Sequence, residues 1–409
     1  MKYVSGPYTQ GQLLKEIHEI EIALTERFML SGVITDVAEQ RSWCERVQEA
    51  SFGCNIVMYD DQGNPSVMVA IPLLIEADLL SGGLNMPHSA FIVNGVTKPQ
   101  IYIAKYQCIT TGSGAALRAL SLKHQDPGVN INFNNALLAC KQKGTGWHLM
   151  TNAEWAAIAL WCKKQGFWPR GNNNYGKNIS ITSEKGIPSY YYDNDGIKYI
   201  GRILTGSGHL PWSHDGSPFG IFDLNGNVWE WVGGMRLKNG EIQVLENNNA
   251  ADNNKDQGDT SAEWKAILQN GSLVVPETAN TLKIDNSTAG DSTPTFHDVG
   301  GDIKINTSVI NQMYIPGGQV DYGFSSTQFK NLAAESGVTI PNLLNLLGLF
   351  PLNSLYNEDN VWARNYGERL PVHGGYWITG ANAGVNALRL LDARSLLSNN
   401  IGFRAAFIM

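Results

Sequence analysis

A chain of 409 residues with 43% hydrophobic and 10% aromatic content can bury one large core or two to three ordinary ones. A formal net charge of −7, with only 16% charged residues, leaves no basic surplus to neutralise phosphates and excludes nucleic acid as a partner. Its 43 glycines and 11 tryptophans point to many turns and ring-anchored irregular structure, hence a loop-rich α+β fold.

Residues 1–7 lack the roughly 7 to 15 residue apolar core of a secretory signal, so synthesis in the cytoplasm without a signal peptide is expected. Over 9–29, Leu13, Ile17, Ile20, Leu24 and Phe28 recur at helical spacing, with Thr9 and Gln12 resembling a capping pair. One such stripe cannot bury itself. It packs on the downstream chain or associates with copies of itself, which leaves a homo-oligomer open. Residues 53–69 read as a hairpin around the turn at 60–65. A small N-terminal helical and hairpin module, 1–70, is therefore expected ahead of a main domain, 71–409.

In that domain the β-rich runs 91–96 and 101–106 come first. Two helices follow, 132–143 and 152–165, the second with Asn152 as cap and Trp155, Ile158, Ala159 and Cys162 on one face. From 238 to 366 the chain is rich in Asn, Asp, Gly and Ser, an insertion of loops with one apolar helix near 340–347. The apolar stretches 67–75 and 343–352, interrupted by Pro72 and Pro351, fall short of the roughly 18 to 20 residues that span a bilayer, so no membrane insertion is expected. Five cysteines, Cys44, Cys54, Cys108, Cys140 and Cys162, are odd in number and form no CxxC pair, and they read as reduced, mostly buried thiols.

Three ordered blocks carry a family signal: GWHLMTNAEW at 146–155, PFGIFDLNGNVWEWV at 218–232, and GGYW at 374–377 closing with IGFR at 401–404. Together they resemble the formylglycine-generating-enzyme branch of the C-type lectin fold, also called the sulfatase-modifying factor family. His148, Met150 and Asn152 depart from the family's first block. The resemblance covers about 90–409 without the insertion and implies a C-type lectin-like fold. It also implies that calcium could sit on the carboxylates of Asp223 and Glu230 and the carbonyls of Gly226 and Val228, a hard-oxygen set. The alternative is that Glu230 accepts buried hydrogen bonds from its turn; no cofactor is required.

Enzymes of that family bind copper through a C-terminal cysteine pair, because thiolates are soft ligands. Here no cysteine follows Cys162. The related iron enzymes need clustered histidines; the eight here show no His-x3-His spacing, and His209 and His214, in a Gly/Ser loop, read as solvated. No catalytic residue is identified.

The segment 374–404 resembles the variable repeat of proteins targeted by diversity-generating retroelements. There, adenines of a template are randomised, so targeted codons become NNC, which cannot encode Lys, Glu, Gln, Met or Trp. Residues 376–400 contain none of these except Trp377, at a scaffold position. The positions departing from the family's template are Tyr376, Ile378, Thr379, Asn386, Arg389, Leu391, Asp392, Leu396, Leu397 and Ser398. The adjacent pairs Leu390-Leu391 and Leu396-Leu397 break strand alternation, so most of the ten are expected at the surface as a ligand-binding face. Ten such side chains cover roughly 500 to 800 Å² of a partner. The resemblance implies a receptor-binding protein on a phage or prophage virion tail, with a protein or glycan receptor on a host cell surface. Its rivals are a formylglycine-generating-type oxidase and a structural virion or surface module.

Overall fold

A computed structural model describes residues 10–291, 293, 295–313 and 323–409, with side chains from residue 15 onward. Thr9 and the side chains of Gln12 and Leu13 lie outside these. The first helix runs Gln10–Ser31, and a second, Val37–Ala50, is capped by the Asp36 carboxylate. Ile17 and Leu24 share a core with Trp43, Val47, Tyr106 and Phe222, so the helical stripe packs on the downstream chain. Glu21 on the same helix is buried; it accepts from Lys105 Nζ at 2.7 Å and the Tyr106 hydroxyl at 2.6 Å, with Lys123 Nζ at 3.8 Å.

The hairpin, Asn55–Tyr59 with Pro65–Pro72, continues into a larger sheet. Pro65–Pro72 pairs with Gln100–Ala104, that strand with Ala405–Phe407, and the last with Trp147–Leu149. The boundary expected near residue 70 thus falls inside a strand. A two-stranded hairpin is marginal alone; Val67 packs with Ile17, Leu24, Trp43 and Val47 of the two helices, while Val69 and Ile71 are buried in the downstream core. The helices Phe133–Lys141 and Asn152–Gln165 form where expected, but Thr151 caps the second. Thr151 and Glu154 make a reciprocal capping box, which frees Asn152 to donate to the Leu347 carbonyl at 2.9 Å.

The region 238–366 is strand-built. It contributes Glu241–Val244, Lys265–Ile267, Lys283–Asn286, Ile303–Asn306, Gly323–Gln328 and Asn360–Ala363 to one large curled sheet, plus the short helix Asn342–Leu346. The Asn and Gly richness marks turns between very short strands; Asn239, Asn247 and Asn280 all take positive φ. Ile303 and Ile305 alternate inward as a half-buried strand demands.

The sheet places the C-terminal blocks at its centre. Trp229–Trp231 lies between Glu368–Gly374, antiparallel, and Ile401–Phe403, parallel. Gly384–Asp392 lies between Glu368–Gly374 and Asn360–Ala363, so the 238–366 region supplies a neighbour of that strand. Trp155 donates its indole N–H to the Val385 carbonyl at 2.7 Å, tying the central helix to that strand. Among the described residues no helix is long and apolar enough to cross a membrane.

Candidate functional site: the variable face and the oxygen cage beneath it

Most scaffold positions of the C-terminal segment are packed: Trp377, Ala383, Val385, Ala387, Leu388 and Leu390 are buried, while Gly380 and Arg394 are half-buried and Ala393 and Ser395 exposed. Gly384 is required by space, because a Cβ there would run into the Asp359 carboxylate. Asp359 accepts from the Asn386 amide at 2.9 Å and fixes the backbone at the strand's start. Its carboxyl is pushed up to about 6 by burial, against the hydrogen bonds from Asn386.

Of the ten expected surface positions, Ile378 at 39% and Leu397 at 57% are exposed. Tyr376, Thr379, Arg389, Leu396 and Ser398 are half-buried. Asn386 at 7%, Leu391 at 4% and Asp392 at 4% are buried, which corrects the expectation for these three. All three lie on a strand flanked on both edges. The Leu390-Leu391 pair has a specific cause. Leu370 pairs with Asp392 and Val372 with Arg389, so Pro371 alone faces two residues, a bulge that buries both leucines. Proline tolerates the place because it has no N–H to lose. Asn386 Nδ2 donates to Asp359 at 3.2 Å, and Asp392 accepts both ends of the Arg389 guanidinium.

Tyr376 and Thr379 close a turn, with reciprocal bonds of 2.9 Å (Tyr376 N–H to Thr379 Oγ1) and 3.0 Å (Thr379 N–H to the Tyr376 carbonyl). Beside it stands a patch that the sequence reading missed. Tyr191–Asn194 and Ile197–Ile200 pair only with each other, Tyr192 opposite Tyr199. Tyr199 lies 4.9 Å from Tyr175, whose N–H bonds the Trp377 carbonyl, and Tyr190 lies 5.9 Å from the Trp377 ring. Burial pushes the Tyr376 hydroxyl up; Arg389 opposes this while Tyr175 and Tyr192 add to it. The Asn-Asp-Gly turn at 194–196, between runs rich in tyrosine, was the available signal.

The calcium set does not fit. The carbonyls of Asp223, Gly226 and Val228 and Oε1 of Glu230 do converge, but on Nε2 of Gln107, at 3.3, 3.4, 3.1 and 3.0 Å. One oxygen of the Asp223 carboxylate is used elsewhere, accepting from Gly206 N–H at 2.8 Å, and the other is buried with no hydrogen-bond partner among the described residues; burial pushes the carboxyl up to about 6. Glu230 instead takes a bidentate pair from buried Arg404 at 2.9 and 2.8 Å. Trp229 and Trp231, two apart, are both buried in one core, Trp231 edge-on to Phe133.

His214 is buried, not solvated: its Nδ1 accepts from Ile221 N–H at 2.9 Å, while His209 stays exposed. Cys108, Cys140 and Cys162 are buried and all five cysteines are free.

Residues 87–266 match the family model described as sulfatase-modifying factor enzyme 1-like domain. That segment, 180 of the 409 residues, is similar to the family's domain. The chain's fold is the mixed α/β, C-type lectin-like one implied by the three motif blocks. The match ends within the 238–366 region, so the variable strand lies beyond the segment it covers. No curated protein sequence is matched. Among solved structures, PvdO from Pseudomonas aeruginosa is 16% identical, over 87% of this chain and 98% of that one, at a TM-score of 0.34. Treponema denticola variable protein 1 is 12% identical, over 87% and 99%, at 0.31. The Major Tropism Determinant U1 variant is 13% identical, over 84% and 63%, at 0.26.

Proposed function

We infer that this chain binds a receptor through retroelement-diversified residues held on a sulfatase-modifying-factor-type scaffold, in the role of a phage tail receptor-binding protein. The carrying observation is the separation of the segment 374–404 into two sets. Most residues the template fixes between 377 and 390, such as Trp377, Val385, Ala387 and Leu388, are buried, although the fixed Ala393 and Ser395 are exposed, whereas seven of the ten exchangeable positions reach the surface fully or in part. Packed fixed residues hold the backbone, so an exchanged side chain adds little ordering cost on binding. The surface set combines Tyr376, Arg389, Ile378 and Leu397 with Thr379 and Ser398, anchors beside adaptable hydrogen-bonding groups. Tyr175, Tyr192 and Tyr199 extend it as a fixed aromatic margin.

An oxidase of the formylglycine-generating type needs reactive thiolates. Burial pushes Cys108 up to about 11 and raises Cys140 and Cys162 as well, which keeps these thiols protonated and favours the non-catalytic reading. The partner is a protein or glycan receptor on a host surface. Sequencing the DNA beside the gene tests the reading. A reverse transcriptase gene and an adenine-substituted near-copy of codons 374–404 are expected, and a neighbourhood holding neither overturns it.

A further inference from the structure

Four oxygens aimed at one point are an unusual surrounding for an amide. Gln107 Nε2 carries two hydrogens, yet it sits within 3.0–3.4 Å of three main-chain carbonyls and a carboxylate oxygen. Such a ring of hard oxygens is what a calcium ion collects, at the shorter distance of roughly 2.3 to 2.6 Å.

A relay sets which end of the amide faces the ring. The Ile203 backbone N–H can only donate, and it donates to Asn227 Oδ1 at 2.9 Å. Asn172 Nδ2 donates to the same oxygen at 3.2 Å. Asn227 Nδ2 therefore points the other way and donates to Gln107 Oε1 at 2.8 Å. That leaves the Gln107 nitrogen toward the ring. Turning the Gln107 oxygen inward, as a cation requires, would set two NH2 groups against each other or strip Ile203 of its acceptor. Charge is settled as well. Arg404, fully buried and also held by the Ala104 and Phe222 carbonyls at 2.8 Å, already balances Glu230. A divalent ion would sit beside that guanidinium.

We propose that the side-chain amide of Gln107 takes the place of a cation in this cage, so that the turn at 223–230 beneath the variable face is held without metal. The amide supplies partial positive charge to the carbonyls, and Arg404 supplies the full charge to Glu230. Exchanging Gln107 for glutamate places a second carboxylate against Glu230 and turns the cage into a five-oxygen site that calcium completes.

The test is thermal unfolding of the full chain and of Gln107→Glu, each with excess EDTA and with millimolar calcium chloride, with magnesium chloride as control and calorimetric titration of calcium alone. Wild type should melt at one temperature in all conditions and take up no calcium at this site. Gln107→Glu should melt lower in EDTA and regain about 5 °C or more with calcium. Gln107→Ala, which empties the cage and leaves Arg404 balancing Glu230, should melt lower than wild type with or without calcium, and it carries the test if the glutamate variant does not fold. A calcium-dependent melting temperature in wild type that Glu230→Gln abolishes would overturn the proposal. So would a failure of calcium to rescue folded Gln107→Glu, or a Gln107→Ala chain as stable as wild type, because the amide would then not be standing in for a cation.

Discussion

The Arg389 guanidinium grips the Asp392 carboxylate at 2.9 and 2.8 Å, although the two residues are three apart on one strand. Residues at that spacing on a regular strand point to opposite faces. The bulge opposite Pro371 lies between them and restores a common side. Both positions belong to the exchangeable set, yet they are unequal. Asp392 is buried, and its charge also bears on Arg364 and Arg369, whose guanidinium pKa values burial lowers to about 10 while Asp392 raises them. Asp392→Ala should therefore cost about 3 kcal/mol in urea unfolding. Arg389→Ala, a loss at a half-exposed site that still leaves Asp392 facing the charges of Arg364 and Arg369, should cost less, about 1 to 2 kcal/mol. Equal costs would show that the pair, and not the carboxylate, holds the strand.

The exchangeable positions should divide by depth. Ile378→Asp and Leu397→Asp should leave stability within about 0.5 kcal/mol of wild type. Leu391→Asn, also an NNC residue, should lose about 3 kcal/mol, because it leaves a void and buries an amide without a partner. Sequenced natural variants should then differ often at 378 and 397 and keep an apolar residue at 391.

Glu21 is the only described carboxylate bonded to buried Lys105 and Tyr106, and it lies on the first helix. Glu21→Ala should destabilise the whole fold by about 3 to 5 kcal/mol, since it strands a buried ammonium. If unfolding stays cooperative and only the helix detaches, with the remainder as stable as before, residues before the hairpin are a separable module after all.

His373 packs flat on Trp155 at 5.0 Å, its Nε2 is 3.0 Å from Asn152 Oδ1, and burial pushes its pKa down to about 3. The folded value lies below the unfolded value near 6.5. The folded protein thus binds fewer protons than the unfolded chain between these limits, and stability falls as pH drops through that window. The slope from this group approaches about 1.4 kcal/mol per pH unit. His373→Gln, which can still donate to Asn152, should flatten the loss between pH 6.5 and 4.5 relative to wild type. Parallel pH profiles would remove His373 as the cause.

Local pattern carried most of the framework. The stripe of Ile17 and Leu24, the helix beginning at Thr151 and the strand around Trp229 and Trp231 are each readable because spacing alone fixes which side chains share a face. The misplaced cap shows the limit of one-residue reading: Thr151 and Asn152 are both cap-forming types, and Glu154 three residues after Thr151 decides between them. The Asn-rich stretch 238–366 looked like loops because its strands, most of them two to four residues long, are too short to print a period against so many turns.

By itself the sequence determined the motif blocks and the helices, and it proposed which letters of 374–404 are fixed and which exchangeable. These depend on residues a few positions apart. Only the tertiary structure decided how deep each exchangeable residue lies and what fills the oxygen cage. Leu391 is buried by a bulge opposite Pro371, and the nitrogen that meets the carbonyls at 223–228 comes from Gln107, more than a hundred positions away. Such pairings depend on which strands become neighbours, a property of the assembled sheet that no local spacing encodes.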